Sequence, residues 1–479
     1  ILKVLAIAVC FPFILLSASA PLLQHWFANV HPGKSPYRLY ALSNVGSLLA
    51  LLSYPFLVEP ALTLSTQTRT WSFAYLAFMG MTLWCAWPVL AQKLNQNPRQ
   101  PAVETKTRAR KSNRSTPAKA PGWLDRVTWM LLAACGSVVL LAVTNQMCRD
   151  VAVIPFLWVV PLSLYLITFI ICFERDTWYQ RKICIPFLAL GLGVLVYLLG
   201  RDYAGNKLSL AYQIMIYCAA MFACCMVCHG EMVRRRPAAG DLTLFYVYVA
   251  LGGALGGVFV NLIAPLLFNG FWELHGSVVF VCLLAILFVA LDHDAMNFLP
   301  RILVVTLGVV GIGALIWFLG IHISEQRDTS ILNKRSFFGV LHVYEKNKGT
   351  PRHYRKLNHG RIKHGEQWQH KLMRDRPTSY FGPRSGAGLA LNRFPSRNNK
   401  APEKSAIRVG AIGLGVGTIA AYGKHKDFFR FYEINPEIAS AAREYFGYLG
   451  NSKAEIEVVM GDGRRSMQRE LERDGSQQY

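Results

Sequence analysis

The chain has 479 residues, of which 53% are hydrophobic and 16% are charged, and its mean hydropathy is +0.27. The hydrophobic fraction and the mean hydropathy lie above, and the charged fraction lies below, what a soluble globular chain of this length usually has, so an ordinary soluble protein is excluded. The net charge is +23, but the sequence contains no nucleic-acid-binding motif. The charge therefore fits basic loops beside lipid headgroups better than it fits nucleic-acid binding.

The first two thirds of the chain predict a polytopic α-helical membrane body. Apolar runs recur there, each long enough, or nearly so, to cross a hydrocarbon core of about 30 Å. We count ten such runs: 4–23, 40–58, 71–90, 127–143, 154–173, 183–199, 208–228, 242–268, 276–291 and 302–320.

Loop charge predicts the orientation of these spans. Residues 92–126 hold nine Lys/Arg and indicate a disordered cytoplasmic linker. Loops 174–182 and 229–241 are basic, and the alternate loops are not. Counting ten crossings puts the C-terminal domain on the outer face. We expect the cytoplasmic face instead, and a re-entrant or split run at 242–268 would reconcile the two.

Two motifs in the membrane body admit a chemical and a structural interpretation. Cys225, Cys228 and His229 match the C-x-x-C-H haem-attachment string, but the basic loop that follows places them on the cytoplasmic side, where covalent haem attachment is not expected. The glycines at 252, 253, 256 and 257 form two overlapping small-x-x-x-small pairs, which predict close helix packing.

From about residue 329 the pattern changes to short alternating segments. Segments 339–345, 353–358 and 361–363 predict a small antiparallel sheet, and residues 377–391 could include a helix. Four histidines in and after this region, at 353, 359, 364 and 370, match no metal-ligand spacing, so we expect no metal.

Strands then alternate with helices. We predict strands at 407–412, 429–432 and 456–460, with helices from Thr418, over 436–449 and over 463–473. Such alternation is typical of a parallel, doubly wound sheet, in which a ligand lies beyond the carboxyl ends of the strands. The glycines at 413, 415 and 417 follow the first strand and would leave room for a nucleoside.

Two acidic residues strengthen the nucleoside interpretation. Glu433 ends the second strand, twenty residues after the first glycine, where a carboxylate can accept both ribose hydroxyls. Asp462 ends the third, near the expected adenine. A dinucleotide fingerprint would want Gly or Ala at Thr418, and the G-x-G-x-G spacing is that of S-adenosylmethionine-type folds, which disfavours a dehydrogenase.

These motifs together resemble one family. The strings FFGVL at 337–341, LNHG at 357–360, HGEQ at 364–367, PTSYF at 377–381, IGLGVGT at 412–418 and FYEINP at 431–436 are similar to those of the spermidine synthase family. SASAPLLQ at 17–24, ALSNVGS at 41–47 and CHGE at 228–231 resemble its bacterial branch, in which a multi-span membrane body is fused to a spermidine synthase-like domain.

The resemblance implies transfer of an aminopropyl group from decarboxylated S-adenosylmethionine to an amine acceptor. It implies that Gly413, Gly415 and Gly417 shape the cofactor turn, that Glu433 holds the ribose and that Asp462 with Gly463 contacts the adenine. Gln367 and Tyr380 fall where the family closes its small sheet over the substrates. S-adenosylmethionine itself is the alternative co-substrate.

The sequence departs from the family in two respects. The family's catalytic aspartate follows a fourth strand, which would open at 477–479, so we expect a fragment truncated at both ends and inactive as it stands. Lys363, with basic neighbours Arg361, His364 and Lys371, stands where soluble members have Gln, which puts a cationic diamine in doubt.

The expected fold is thus about ten membrane spans, a small β-sheet subdomain and a truncated α/β S-adenosylmethionine-type (Rossmann-like) domain. We divide the chain into spans 1–91, linker 92–126, spans 127–322, the β subdomain and substrate lid 323–391, a loop 392–405 and the nucleoside-binding domain 406–479.

We expect a multi-pass protein of the bacterial inner membrane with a cytoplasmic enzyme domain. Its partners would be the lipid bilayer and a small-molecule amine, without nucleic acid. The sequence does not decide whether the chain forms a homodimer. The alternative functions are an S-adenosylmethionine-dependent methyltransferase and a transporter or sensor with a regulatory nucleoside-binding domain.

Overall fold

The structure is a computed structural model that describes residues 2–31, 35–95, 120–150, 156–175, 177–203, 208–292, 301–328, 330–360, 362–398 and 406–475. The chain divides into two compact units. The first comprises Ile1–Cys148, Val153–Asn261 and Glu273–Trp317, and the second comprises Arg149–Ala152, Leu262–Trp272 and Phe318–Tyr479. Most of the predicted linker and the expected fourth strand lie outside the described residues.

The first unit is helical. Its long helices are interrupted by single π-helical turns at Ala6–Cys10, Tyr54–Val58 and Phe259–Ile263. The helices are α1 (Leu2–Leu5), α2 (Phe11–Val30), α3 (Tyr37–Ser53), α4 (Glu59–Ala61), α5 (Leu64–Asn95), α6 (Trp123–Asp150), α7 (Phe156–Glu174), α8 (Arg181–Tyr203), α9 (Leu210–Arg234), α10 (Leu242–Val258), α11 (Ala264–Leu267), α12 (Glu273–Leu291) and α13 (Arg301–Asp328), of which α11 and the ends of α6 and α13 belong to the second unit.

Nine helical segments in the described part of the chain are long and apolar enough to cross a membrane. They coincide with the second to tenth apolar runs of the sequence, so the prediction of many helices that could span a membrane is confirmed. The first run lies in the α1–α2 segment, which is not among the nine. The run at 242–268 stays helical from Leu242 to Leu267.

The glycines of α10 separate into two kinds. A Cβ on Gly252 would lie 2.2 Å from the Met130 carbonyl oxygen, and one on Gly256 would lie 2.6 Å from that of Ala134. A Cβ on Gly253 or Gly257 would meet nothing within 4 Å. The close packing predicted from the small-x-x-x-small pairs therefore rests on one glycine of each adjacent pair, which lets α10 approach the backbone of α6.

A buried ion-pair network joins three helices of the first unit. Arg181, at the start of α8, donates from Nε and Nη2 to the two carboxylate oxygens of Glu231 on α9, at 2.6 and 2.7 Å. Tyr179 donates its hydroxyl to the same carboxylate, and Arg181 Nη1 reaches Asp292 after α12 at 2.8 Å. Because a buried charge is costly unless it is paired, these contacts account for an Arg and a Glu that are both almost fully buried.

The second unit opens with an antiparallel sheet in the order β1-β2-β3-β4. Its strands are β1 (Ser330–Ser336), β2 (Gly339–Lys346), β3 (Tyr354–His359) and β4 (Ile362–Trp368). The sequence predicted the last three but not β1, whose residues are mostly polar. A 3-10 turn at Ser379–Phe381, helix α14 (Gly386–Arg393) and a 3-10 turn at Pro395–Asn398 follow.

A parallel sheet comes next, in the order β5-β6-β7. Its strands are β5 (Arg408–Ile412), β6 (Phe428–Glu433) and β7 (Glu455–Met460), and its helices are α15 (Pro436–Tyr445), α16 (Tyr448–Asn451) and α17 (Gly463–Asp474). All three predicted strands are confirmed. Within the described residues β5 is an edge strand, and Ile412 at its end is 72% exposed.

Two predicted helices differ from the structure. The chain after Thr418 forms only a 3-10 segment, Thr418–Tyr422, because it turns at Gly423, whose missing Cβ leaves room for Ala454 and Ser452. The helix predicted over 436–449 ends at Tyr445. There Phe446 is extended and the amide of Gly447 donates to a side chain rather than continuing the helix.

The two sheets of the second unit share one hydrophobic core. Leu341, Val343 and Leu357 of the antiparallel sheet cluster with Phe429 and Phe431 of β6. Apolar residues of the 414–420 segment and of α15 complete the cluster. Burial of apolar surface thus fixes the segment after β5 in place.

We predict that Gly252→Ala and Gly256→Ala each destabilise the first unit by about 1–3 kcal/mol, the usual cost of overpacking a helix contact. Gly253→Ala and Gly257→Ala are the matched controls, because a methyl group there meets open space. Thermal unfolding of the purified chain in detergent measures the difference. Equal midpoints for the four variants would contradict the assigned packing.

Candidate functional site

The three glycines after β5 adopt a backbone that other residues rarely tolerate. Their φ angles are +90° at Gly413, +56° at Gly415 and +77° at Gly417. Glycine has no Cβ and reaches positive φ at little cost, so the turn requires these residues. The Gly413 amide also donates to the Tyr432 carbonyl at 2.8 Å, which ties the turn to the end of β6.

The space around the three glycines is not alike. A Cβ on Gly413 would meet nothing within 4 Å, whereas one on Gly415 would lie 2.8 Å from the His364 carbonyl oxygen and one on Gly417 would lie 2.7 Å from Leu449. Gly413 therefore borders open space that a ligand can use. Gly415 and Gly417 are needed for packing within the protein, a distinction that the sequence spacing does not make.

Glu433 is the buried carboxylate of this region. Its Oε2 accepts a hydrogen bond from the Leu414 amide at 2.9 Å, and its Oε1 accepts one from the Asn435 amide at 2.8 Å. An ionised carboxylate offers about four lone-pair sites, so each oxygen keeps capacity for a further donor. The structure thus fixes the carboxylate between the glycine turn and the start of α15.

Two buried polar side chains, one directly after the glycine turn and one two residues after Glu433, each have an atom without a hydrogen-bond partner. Thr418 and Asn435 are each 2% exposed, and the Thr418 hydroxyl and the Asn435 side-chain nitrogen have no partner in the described structure. The Asn435 side-chain oxygen is used, since it caps α15 by accepting from the Glu437 amide at 3.0 Å. Buried polar groups are normally paired, so these two atoms need an explanation.

Asp462 and Gly463 lie where β7 passes into α17. Asp462 is exposed and caps the helix, accepting from the Arg465 amide at 2.8 Å. A Cβ on Gly463 would lie 3.2 Å from Ile412 and 3.4 Å from Tyr432, so this residue lies beside the ends of β5 and β6. The ends of all three parallel strands, and with them the predicted cofactor residues, thus meet at one edge of the sheet.

Gln367 and Tyr380 differ in their surroundings. Gln367 is 1% exposed, and its amide accepts from the Gly447 nitrogen at 2.8 Å and donates to the Arg374 carbonyl at 3.1 Å. Its hydrogen bonds therefore hold two backbone segments together. Tyr380 is exposed, and its hydroxyl lies 3.4 Å from the His364 carbonyl oxygen, the same atom that approaches Gly415. Tyr380 thus approaches a backbone atom that borders the glycine turn.

His364 and His359 form a pair beside the turn that the sequence interpretation did not include. Their ring centroids are 5.6 Å apart, because the β3–β4 hairpin brings them together. Burial lowers the pKa of His364, the neighbouring His359 lowers it further, and Glu433 opposes the shift. The only signal in the sequence was that the two histidines stand on either side of a hairpin turn. Because the β3–β4 pairing contains a bulge, the alternation of side chains along the two strands does not show that they meet.

The C-x-x-C-H string lies inside α9 of the first unit. Cys225, Cys228 and His229 are all buried, and the cysteines are free. His229 bonds through Nδ1 to the Thr168 hydroxyl at 2.9 Å and stacks on Phe169 with ring centroids 3.7 Å apart. Among the residues that the structure describes, no group of three or more His, Cys, Asp or Glu side chains could hold a metal ion.

The chain matches no protein-family model, no curated protein and no solved structure. The resemblance to the spermidine synthase family therefore stays a hypothesis that rests on the motifs.

We predict that His364 makes the second unit less stable in mild acid. The pKa of His364 is lowered from the usual 6.5 in the folded chain. Below pH 6.5 the unfolded chain therefore binds a proton at His364 more readily than the folded chain does. The contribution of His364 to the free energy of unfolding should be constant above pH 6.5 and should become increasingly unfavourable as the pH drops toward the folded pKa. Hydrogen exchange of peptides covering β3 and β4, corrected for intrinsic rates, measures this.

His364→Gln should flatten that pH dependence, because the titrating group is gone. His370→Gln is the control, since His370 is an exposed histidine of the same unit. The same pH slope in the wild-type chain and in His364→Gln would rule out His364 as its origin.

Proposed function

We propose that the second unit binds an adenosyl compound at the glycine turn and that the chain is a membrane-tethered aminopropyltransferase of the spermidine synthase type. The observation that carries this proposal is the buried Glu433 carboxylate, fixed by the amides of Leu414 and Asn435 beside the open space at Gly413. A carboxylate with spare acceptor capacity at the carboxyl ends of parallel strands suits the two hydroxyls of a ribose.

The surrounding residues fit such a ligand. The Thr418 hydroxyl and the Asn435 side-chain nitrogen are buried without hydrogen-bond partners, and a bound polar ligand would supply the missing partners. The strand order β5-β6-β7, with the glycine turn after the first strand and acids after the next two, supports a Rossmann-like arrangement of the S-adenosylmethionine type. Asp462, exposed at the end of β7, would lie toward the adenine.

The proposed reaction forms a bond between the nitrogen of an amine and the aminopropyl carbon attached to the sulfonium sulfur of decarboxylated S-adenosylmethionine. The carbon–sulfur bond breaks with its electron pair going to sulfur, which leaves methylthioadenosine, and the amine loses a proton to a base. The resemblance implies an aspartate after a fourth strand as that base. The protein's part is to orient the two substrates and to accept the proton.

The basic residues near the turn are compatible with an amine acceptor. Lys363 pairs with Glu366 at 3.2 Å, and the lowered pKa of His364 favours its neutral form at pH 7. Neither then presents an uncompensated positive charge to an amine. The acceptor is therefore proposed as an amine, without restriction to a particular diamine.

We propose that the reaction takes place on the cytoplasmic side of the membrane, because the co-substrate is made there. The loop-charge count argues for the opposite face, since three candidate spans separate the basic loop 229–241 from the second unit. Labelling of a cysteine introduced at exposed Leu372 in intact and in opened cells decides the face. Labelling in intact cells by an impermeant reagent would place the unit outside.

Calorimetry on the full chain in detergent tests the proposed ligand class. We expect methylthioadenosine and decarboxylated S-adenosylmethionine to bind, and S-adenosylmethionine to bind more weakly. A preference for S-adenosylmethionine would favour a methyltransferase. Binding by the full-length protein with no release of methylthioadenosine from any amine mixture would favour a regulatory domain of a transporter or sensor.

We predict that Glu433→Gln weakens methylthioadenosine binding by about 10- to 100-fold, because hydrogen bonds to a charged group contribute about 1.5–3 kcal/mol. Glu455→Gln, an exposed acid at the start of β7, is the matched control and should bind as the wild type does. Circular dichroism checks that both variants are folded. Unchanged affinity in folded Glu433→Gln would remove the ribose role of this residue.

A further inference from the structure

The second unit contains a cavity that the glycine turn does not touch. It lies between the segment that follows α11, the last turns of α13 and the first two strands, and its volume is about 180 Å³. Its lining is mixed: Leu267, Phe268, Trp272 and Ile323 are apolar, and Asn269, Arg327, Asn333 and His342 are polar. The cavity is therefore amphipathic and distinct from the proposed nucleoside site.

The polar side of the cavity offers donors and positive charge. The Asn333 side-chain oxygen accepts from the Ser330 hydroxyl at 2.7 Å and bonds with His342 Nδ1. This use of the oxygen leaves the Asn333 side-chain nitrogen as a donor. Arg327 is exposed and has no ion-pair partner among the residues that the structure describes.

No carboxylate lines the cavity among the described residues. Asp328 follows Arg327 directly, but consecutive residues of a helix do not face each other, and its carboxylate contacts the Ser324 hydroxyl at 3.5 Å. Glu325 is two residues from Arg327, a spacing at which helical side chains also do not face each other, and it has a partner of its own. A cation, an amide donor and no acid make a site for an anion, and guanidinium groups suit phosphate in particular.

The apolar side of the cavity continues onto an exposed hydrophobic surface. Leu266 and Leu267, at the end of α11, are 86% and 65% exposed. Phe271 and Trp272 follow them, and the Arg335 guanidinium lies over the Phe271 ring at 4.5 Å. Aromatic side chains near the end of a membrane span are typical of the headgroup level of a bilayer.

The chain order places both walls of the cavity at the same membrane face. Leu242–Leu267 and Arg301–Glu325 are candidate spans, and one further candidate, Glu273–Leu291, lies between them. Two spans separated by a single crossing run in the same direction, so their carboxyl ends leave the bilayer on one side. The structure brings together residues just before or after these two ends, Leu267 with Trp272 and Arg327, around the cavity.

We propose that this cavity binds the phosphate of an anionic phospholipid headgroup, with Arg327 and Asn333 as its donors and with the acyl chains against Leu266 and Leu267. A lipid matches both sides of the cavity at once, whereas a free phosphate would leave the exposed leucines without a role. Basic pockets beside membrane helices select lipids by this combination of charge and apolar contact.

Native mass spectrometry of the full chain tests this proposal. The delipidated protein in detergent is given an equal mixture of phosphatidylglycerol and phosphatidylcholine. We expect one phosphatidylglycerol to be retained preferentially, and Arg327→Gln to reduce its retention by about tenfold, the loss that one charge-assisted hydrogen bond produces. Arg327→Lys keeps the charge and should retain most of the binding.

Arg393→Gln is the matched control, because it removes an exposed arginine from the end of α14, away from the cavity lining. Inorganic phosphate at millimolar concentration is added in a separate arm and should not displace the lipid. Equal retention of the two lipids, equal loss in Arg327→Gln and Arg393→Gln, or displacement by inorganic phosphate would each overturn the proposal. These outcomes do not depend on nucleoside binding.

Discussion

The second unit is organised around one buried carboxylate. Glu433 ends β6, and its two oxygens accept amides from two different segments, the glycine turn at Leu414 and the start of α15 at Asn435. A carboxylate that is this buried needs such partners, because an unpaired buried charge is costly. The positions of the turn, the helix and the open space at Gly413 therefore depend on the same group, whose remaining acceptor capacity supports the proposed function.

The sequence was sufficient for most elements because their patterns are local. In the described part of the chain, nine of the ten predicted apolar runs coincide with helices that could span a membrane, and β5, β6 and β7 begin within one residue of their predicted positions. Strand β1 was missed, since its mostly polar residues form a strand through pairing with β2. The helix expected after Thr418 was wrong for a related reason: packing of Gly423 against Ala454 and Ser452 ends it early, and these partners are distant in sequence.

The candidate site could be predicted in part. The glycines, Glu433 and Asp462 follow a motif with fixed spacing, and the structure places them at one edge of the parallel sheet. The pairing of His359 with His364 depends on a hairpin, and the enclosure of the Gln367 side chain depends on contacts with Gly447 and Arg374. Both arise from tertiary contacts, which the order of residues along a single segment does not reveal.

The unpaired side of β5 has a mechanical consequence for the turn that follows it. Within the described residues this strand is bonded to β6 alone, and it leads straight into Gly413. A strand that pairs with this edge would constrain the twist of β5, and through it the turn at Gly413. Edge occupancy and ligand affinity are thus expected to be thermodynamically linked, each changing the other by the same factor.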